Sequence, residues 1–165
     1  MVNIPFVEKM NPKKVTILFI TTLIIIGLFV GIILSVGSIY RANQRLQELD
    51  EDAKIRPGLP FIGMTLVTIN IFILIGLIYT HFTIYKKTKS KFLIGLILFL
   101  IALFIKSLFA YASIQVLTIA TALKYSSIAV NETLGFSGRG FGGIFILYHL
   151  FEFFVLSLFL YFSRE

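Results

Sequence analysis

Three ionisable side chains stand in stretches that are otherwise uncharged: Lys106, in an apolar run that starts at Phe92, and His149 and Glu152, in the apolar run that closes the chain. A charge at the centre of a membrane-crossing helix costs about 2.5–3.5 kcal/mol, so each such residue needs a partner or a task. At 1.5 Å per residue Lys106 lies about 22 Å from the basic residue Lys91, hence roughly 8 Å short of the far face of a ~30 Å hydrocarbon core. The closing helix runs the other way, which puts His149 and Glu152 about 12 and 16 Å below that same face. A lysine stem bridges roughly 6 Å. His149 and Glu152, at i and i+3, share a helical face. Around Lys106, Ala102, Ala110 and Ser113 form a small-residue groove that lets another helix approach. The spacing therefore predicts a Lys106–Glu152 ion pair or hydrogen bond with His149 beside it. Such a group either fixes helix register or forms a proton- or ligand-responsive centre.

Other chemistries fit less well. A haem between His81 and His149 needs both rings at one depth, and they differ by about 10 Å. His149 with Glu152 makes half of a carboxylate metal site whose second half this chain lacks. The chain has no cysteine, which removes disulfides, zinc–thiolate sites and thiol nucleophiles. The stretch GFSGRGFGG lacks the Gly-Lys-Ser/Thr ending and the strand-then-helix setting of a phosphate-binding loop. With no catalytic triad, paired carboxylates or HExxH, the expectation is a non-enzyme without metal or cofactor. Asn70 and His81 share a face three turns apart. Asn70 reads as an inter-helix polar contact, and His81 as a headgroup-level residue beside Tyr79 and Tyr85.

The elements that must hold these groups follow from composition. Of the 165 residues 58% are hydrophobic and 14% charged. The apolar residues fall into runs of about twenty or more, the length a helix needs to cross a bilayer, without the polar stripe that a soluble bundle shows every 3.6 residues. The reading is an all-α integral membrane bundle of four transmembrane helices forming a single domain. The spans are about 15–40, 61–85, 92–115 and 144–162, with outer loops at 41–60 and 116–143. The charged stretch RANQRLQELDEDAK continues the first helix past the membrane by about 20 Å, and Pro57, Gly58 and Pro60 then turn the chain. The third run is too long for one crossing; it tilts, breaks near Ser113–Gln115 or projects into water, forming with the first extension and the glycine-rich loop a small outer cap. Both termini share a side with the basic cluster Lys86, Lys87, Lys89 and Lys91. That side carries eight Lys/Arg against six on the other, so it is read as cytoplasmic. Asn131-Glu132-Thr133 is a glycosylation sequon on the predicted outer side. The net charge of +7 is assigned to lipid headgroups, and nucleic acid is not expected as a partner. In the first span Gly27, Gly31, Ser35 and Ser38 form a small-residue stripe for close helix packing, within the bundle or in a dimer.

The span ending HFTIYKKTKSKFLIGLILFL joins two apolar runs by a basic hairpin, and the closing YHLFEFFVLSLFLYFS sets a glutamate early in a helix ending Leu-Tyr. From about Leu74 to Glu165 these parts resemble a family of small, uncharacterised archaeal membrane proteins with three helices. The first span has no counterpart there, and the resemblance implies no activity. The leading expectation is a multi-pass protein of the cell membrane acting as a non-catalytic subunit or accessory factor. It would contact lipid and either other membrane subunits or further copies of itself, packing laterally through the Gly27/Gly31/Ser35 stripe. The alternatives are a small transporter, channel or proton-linked sensor using Lys106, His149 and Glu152, and a redox subunit binding haem or quinone between chains.

Overall fold

The computed structural model describes residues 12–47, 58–124 and 141–164. They form four helices: α1 (Pro12–Gln47), α2 (Gly58–Thr88), α3 (Lys91–Lys124) and α4 (Phe141–Phe162). Each is long and apolar enough to cross a membrane. Their β-branched and aromatic content would favour strands in water. In hydrocarbon, with no water to bond with, a backbone must satisfy its amides within each segment, and a helix does so completely. Pro12 and Pro60 both lie in a first turn, where the missing N–H has no intrahelical acceptor to lose.

The α2–α3 connection is a tight basic hairpin. Lys89 adopts the left-handed conformation (φ 51°) in the position past the helix end that glycine usually takes, and its amide closes α2 by donating to the Tyr85 carbonyl at 2.8 Å. The Leu93 amide then donates to the Ser90 carbonyl at 3.2 Å as α3 begins. At the same end Arg164, just past α4, places its guanidinium 3.9 Å from the centre of the Phe19 ring of α1. Burial holds the Arg164 pKa below the ordinary arginine value, opposed in part by Tyr79. The start of α1 and the end of α4 therefore meet at one end of the bundle.

α2 is the axis. It packs along α1, α3 and α4, whereas α1 touches α3 and α4 little and α3 and α4 scarcely approach each other backbone to backbone. Of its apolar span 56% is buried inside the bundle, against 11–17% for the other three. The main core joins Ile69, Ile73, Leu74 and Leu77 of α2 to Leu100 of α3 and to Leu156 and Leu160 of α4. A smaller cluster joins Met64 and Val67 to Ile114. The outer surface is as apolar as the core: Phe29, Phe99, Phe109 and Phe151 are all exposed. A water-soluble monomer does not present continuous apolar faces of this kind, and hydrocarbon is the solvent they suit.

The small-residue stripe of α1 lies inside the bundle. A Cβ on Gly27 would stand 3.0 Å from the Ile69 Cα, and one on Gly31 would stand 3.1 Å from both the Cα and the carbonyl oxygen of Thr65. Ser35 Oγ lies 3.2 Å from Thr65 Oγ1. Ser38 Oγ accepts from Gln115 Nε2 at 2.7 Å and lies 3.5 Å from the Tyr111 hydroxyl, fastening α1 to α3. Of the two packings open to the stripe, this is the one within the bundle. The expectation that a lateral partner docks through Gly27, Gly31 and Ser35 is corrected: the backbone of α2 already occupies that face.

Helix bounds also differ from the sequence reading. α3 runs unbroken through Ser113–Gln115 as far as Lys124, so the break is ruled out, because nothing there interrupts the amide ladder. α1 reaches Gln47, along the extension past the first span that the sequence predicts. The remainder of the first outer loop, the glycine-rich stretch before Phe141 and the sequon lie outside the described residues. With 36 and 34 residues, α1 and α3 measure about 54 and 51 Å, well beyond a ~30 Å core.

Candidate functional site

The groups that the sequence singled out meet where α2, α3 and α4 come together. Lys106, midway along α3, places Nζ 2.7 Å from Glu152 Oε1 of α4 and also donates to the hydroxyl of Tyr148. One turn before Glu152, His149 directs Nδ1 to Glu152 Oε2 at 2.8 Å. From α2, Asn70 Nδ2 donates to the His149 carbonyl oxygen at 3.0 Å and to Glu152 Oε2 at 3.4 Å. Both neighbours of the Asn70 amide are acceptors, so its NH2 must face them. The carboxylate thus takes donors from three helices, and Lys106 bridges a seam that the α3 and α4 backbones leave unpacked.

Burial is graded across the group. Asn70 and His149 are 0% and 1% exposed, the Glu152 side chain 11% and that of Lys106 37%. The His149 ring is held edge-on by Phe145 at 4.3 Å and by Tyr148 at 5.0 Å between centroids. A carboxylate so enclosed keeps its charge only because its oxygens are bonded and a cation lies beside it. Asn70 Oδ1 and Ser157 Oγ are buried without a hydrogen-bond partner among the described residues, and orphaned buried acceptors are uncommon in folded proteins.

Tyr148 was not anticipated. The available signal was its position four residues before Glu152, which sets both on one helical face. Asn70 was expected to bond across the bundle, but its target could not be named from sequence. His81 differs from expectation: it is 4% exposed, bonds through Nδ1 to the Leu77 carbonyl at 2.9 Å and packs against the Phe159 ring with centroids 5.4 Å apart. It lies inside the bundle, on the α4-facing side of α2, while Ile75, Tyr79 and Phe82 keep another face of that helix exposed. His81 and Asn70 do share the face toward α4. They meet it ten residues apart, at Phe159 and His149, about 15 Å along the helix. One haem cannot span the two histidines of this bundle. Among the described residues no group of three or more His, Asp or Glu could hold a metal ion. Lys86, Lys87, Lys89 and Lys91 are exposed at the hairpin end, with Lys86 Nζ 4.7 Å from the centre of the Phe82 ring.

Fixed charges of opposite sign, an imidazole and an amide, joined by hydrogen bonds across three helices, can bind a polar group or hold a proton. They also change helix contacts when that occupancy changes. A model for a family of unknown function, DUF8036, matches residues 61–164. The match takes in nearly all of α2 with all of α3 and α4, and so the whole polar centre, while α1 lies outside it. No curated protein matches the chain, and no solved structure does.

Proposed function

We propose that this chain, which belongs to the DUF8036 family of unknown function, is a non-catalytic multi-pass protein of the cell membrane that serves proton-linked transport or sensing through its α2–α4 polar centre. The termini and the Lys86–Lys91 hairpin lie on the cytoplasmic side, following the excess of Lys/Arg there. α1 and α3 exceed the core thickness at the opposite face. A single observation carries the reading: Glu152 ties α4 to α3 through an ion pair and is bonded to α2 as well. Protonating the carboxylate removes its charge attraction for Lys106 and turns one of its oxygens from acceptor to donor, so the hold of α4 on α3 is weakened. The groups around the carboxylate are Lys106 across the seam, His149 and Tyr148 on its own helix and Asn70 from α2. An accessory-subunit role would need a surface other than the small-residue stripe, which packs against α2.

The test is a distance. The chain has no cysteine, so Leu98→Cys on α3 and Val155→Cys on α4, both exposed, accept spin labels cleanly in reconstituted protein. As pH falls through the carboxylate range the α3–α4 distance is expected to lengthen. In the Glu152→Gln background it should already be long and insensitive to pH. A parent distance that stays constant on acidification would remove the reading.

A further inference from the structure

The polar centre is closed on the side of α2 and open on the side of the seam. Lys106 has three N–H bonds; Glu152 and Tyr148 take two of them. The Tyr148 hydroxyl accepts from Lys106 and so retains its own proton for another acceptor. Both residues are reached from outside the bundle: Tyr148 is 50% exposed and the Lys106 side chain 37%. Phe109, three residues after Lys106, and Phe151, three residues after Tyr148, are exposed on the same faces and flank the pair with bare aromatic surface.

From this geometry we infer that the α3–α4 seam binds a membrane-dissolved quinone, whose neutral carbonyl oxygen accepts from Lys106 Nζ and the Tyr148 hydroxyl while its ring lies against Phe151. Three considerations select that class. The charges of Lys106 and Glu152 cancel, and an anion on Lys106 would sit about 5 Å from the Glu152 carboxylate, where like charges repel. The vacant positions are donors, so the ligand presents an acceptor. The pair lies roughly 8 Å inside the hydrocarbon edge, deeper than the headgroup oxygens of bulk lipid, so the acceptor must ride on an apolar body. The inference rests on the membrane-embedded, ligand-responsive reading above, but not on the response to protons.

The chain contains no tryptophan, so Phe151→Trp gives a single reporter beside the seam. Titrated with a benzoquinone carrying a ten-carbon chain in proteoliposomes, it is expected to show saturable quenching above the linear background of partitioning. Adding Tyr148→Phe, which keeps the ring and removes the donor, should weaken the midpoint about tenfold, the worth of one hydrogen bond in an apolar setting. Purely linear quenching would overturn the inference, as would an unchanged midpoint in the Tyr148→Phe protein. Decanoate displacing the quinone at equal concentration would overturn it too, since the site would then prefer a carboxylate. Failure here with an intact pH-dependent α3–α4 distance sinks the quinone alone; loss of that distance change with saturable quenching retained sinks the proton-linked reading alone.

Discussion

Lys106→Met is expected to lower stability by about 3 kcal/mol, and adding Glu152→Leu to it is expected to restore most of the loss. Without the ammonium, Glu152 is left 11% exposed with only His149 and Asn70 as polar partners. It must remain charged without a counter-ion or take up a proton, and both states cost free energy. Glu152→Leu alone should be milder, about 1–2 kcal/mol, because the Lys106 stem can carry its charge roughly 6 Å toward a face that is roughly 8 Å away. The double substitution leaves an apolar seam, Asn70 keeping the His149 carbonyl as acceptor. Thermal unfolding in mild detergent checks the ordering. Additive losses in the double variant would show that the two residues do not act as a pair.

Gly31→Leu is expected to be comparably damaging, by about 3 kcal/mol, for a steric reason. The position where its Cβ must go is 3.1 Å from backbone atoms of Thr65, and helix backbone cannot swing aside. α1 has to lift from α2, opening the Ser35–Thr65 and Ser38–Gln115 contacts beyond it. Gly76→Ala provides the contrast. There the crowding atom is the tip of the Leu23 side chain, which can rotate away, so the loss should stay below about 1 kcal/mol. Since the stripe is internal, Gly31→Leu acts on the chain's own folding. Denaturation in graded mixtures of dodecyl sulfate and mild detergent measures both variants. Equal stability of Gly31→Leu and parent would show that α1 packs elsewhere.

The approach of Lys106 to Glu152 was legible because it needs only depth: two helices counted inward from their ends bring the two groups to neighbouring levels wherever the helices stand in the bundle. The partner of Asn70 was not legible, because depth does not say which helix lies opposite. All four helices are apolar around their whole circumference, so periodicity cannot separate a protein-facing side from a lipid-facing one. α2 nevertheless carries a trace of its central place. Gly63, Thr68, Asn70, Gly76, Thr80 and His81 are small or polar, point in several directions and are all buried. Read together, they would have marked the helix that packs against all three others and placed His81 inside the bundle. The stripe of α1 shows the same limit from the other direction: Gly27, Gly31 and Ser35 announce a close helix contact but not whether the contacting helix belongs to the same chain.

The central claim is that Glu152 and its partners lie within hydrocarbon between helices that cross the membrane. Single cysteines at Gln44, Lys87 and Phe151, each exposed on the bundle surface, can be probed with a membrane-impermeant maleimide in oriented vesicles. Gln44→Cys and Lys87→Cys should react from opposite sides, and Phe151→Cys, one residue from the carboxylate, from neither. Rapid labelling of Phe151→Cys in sealed vesicles, or labelling of Gln44→Cys and Lys87→Cys from the same side, would contradict it.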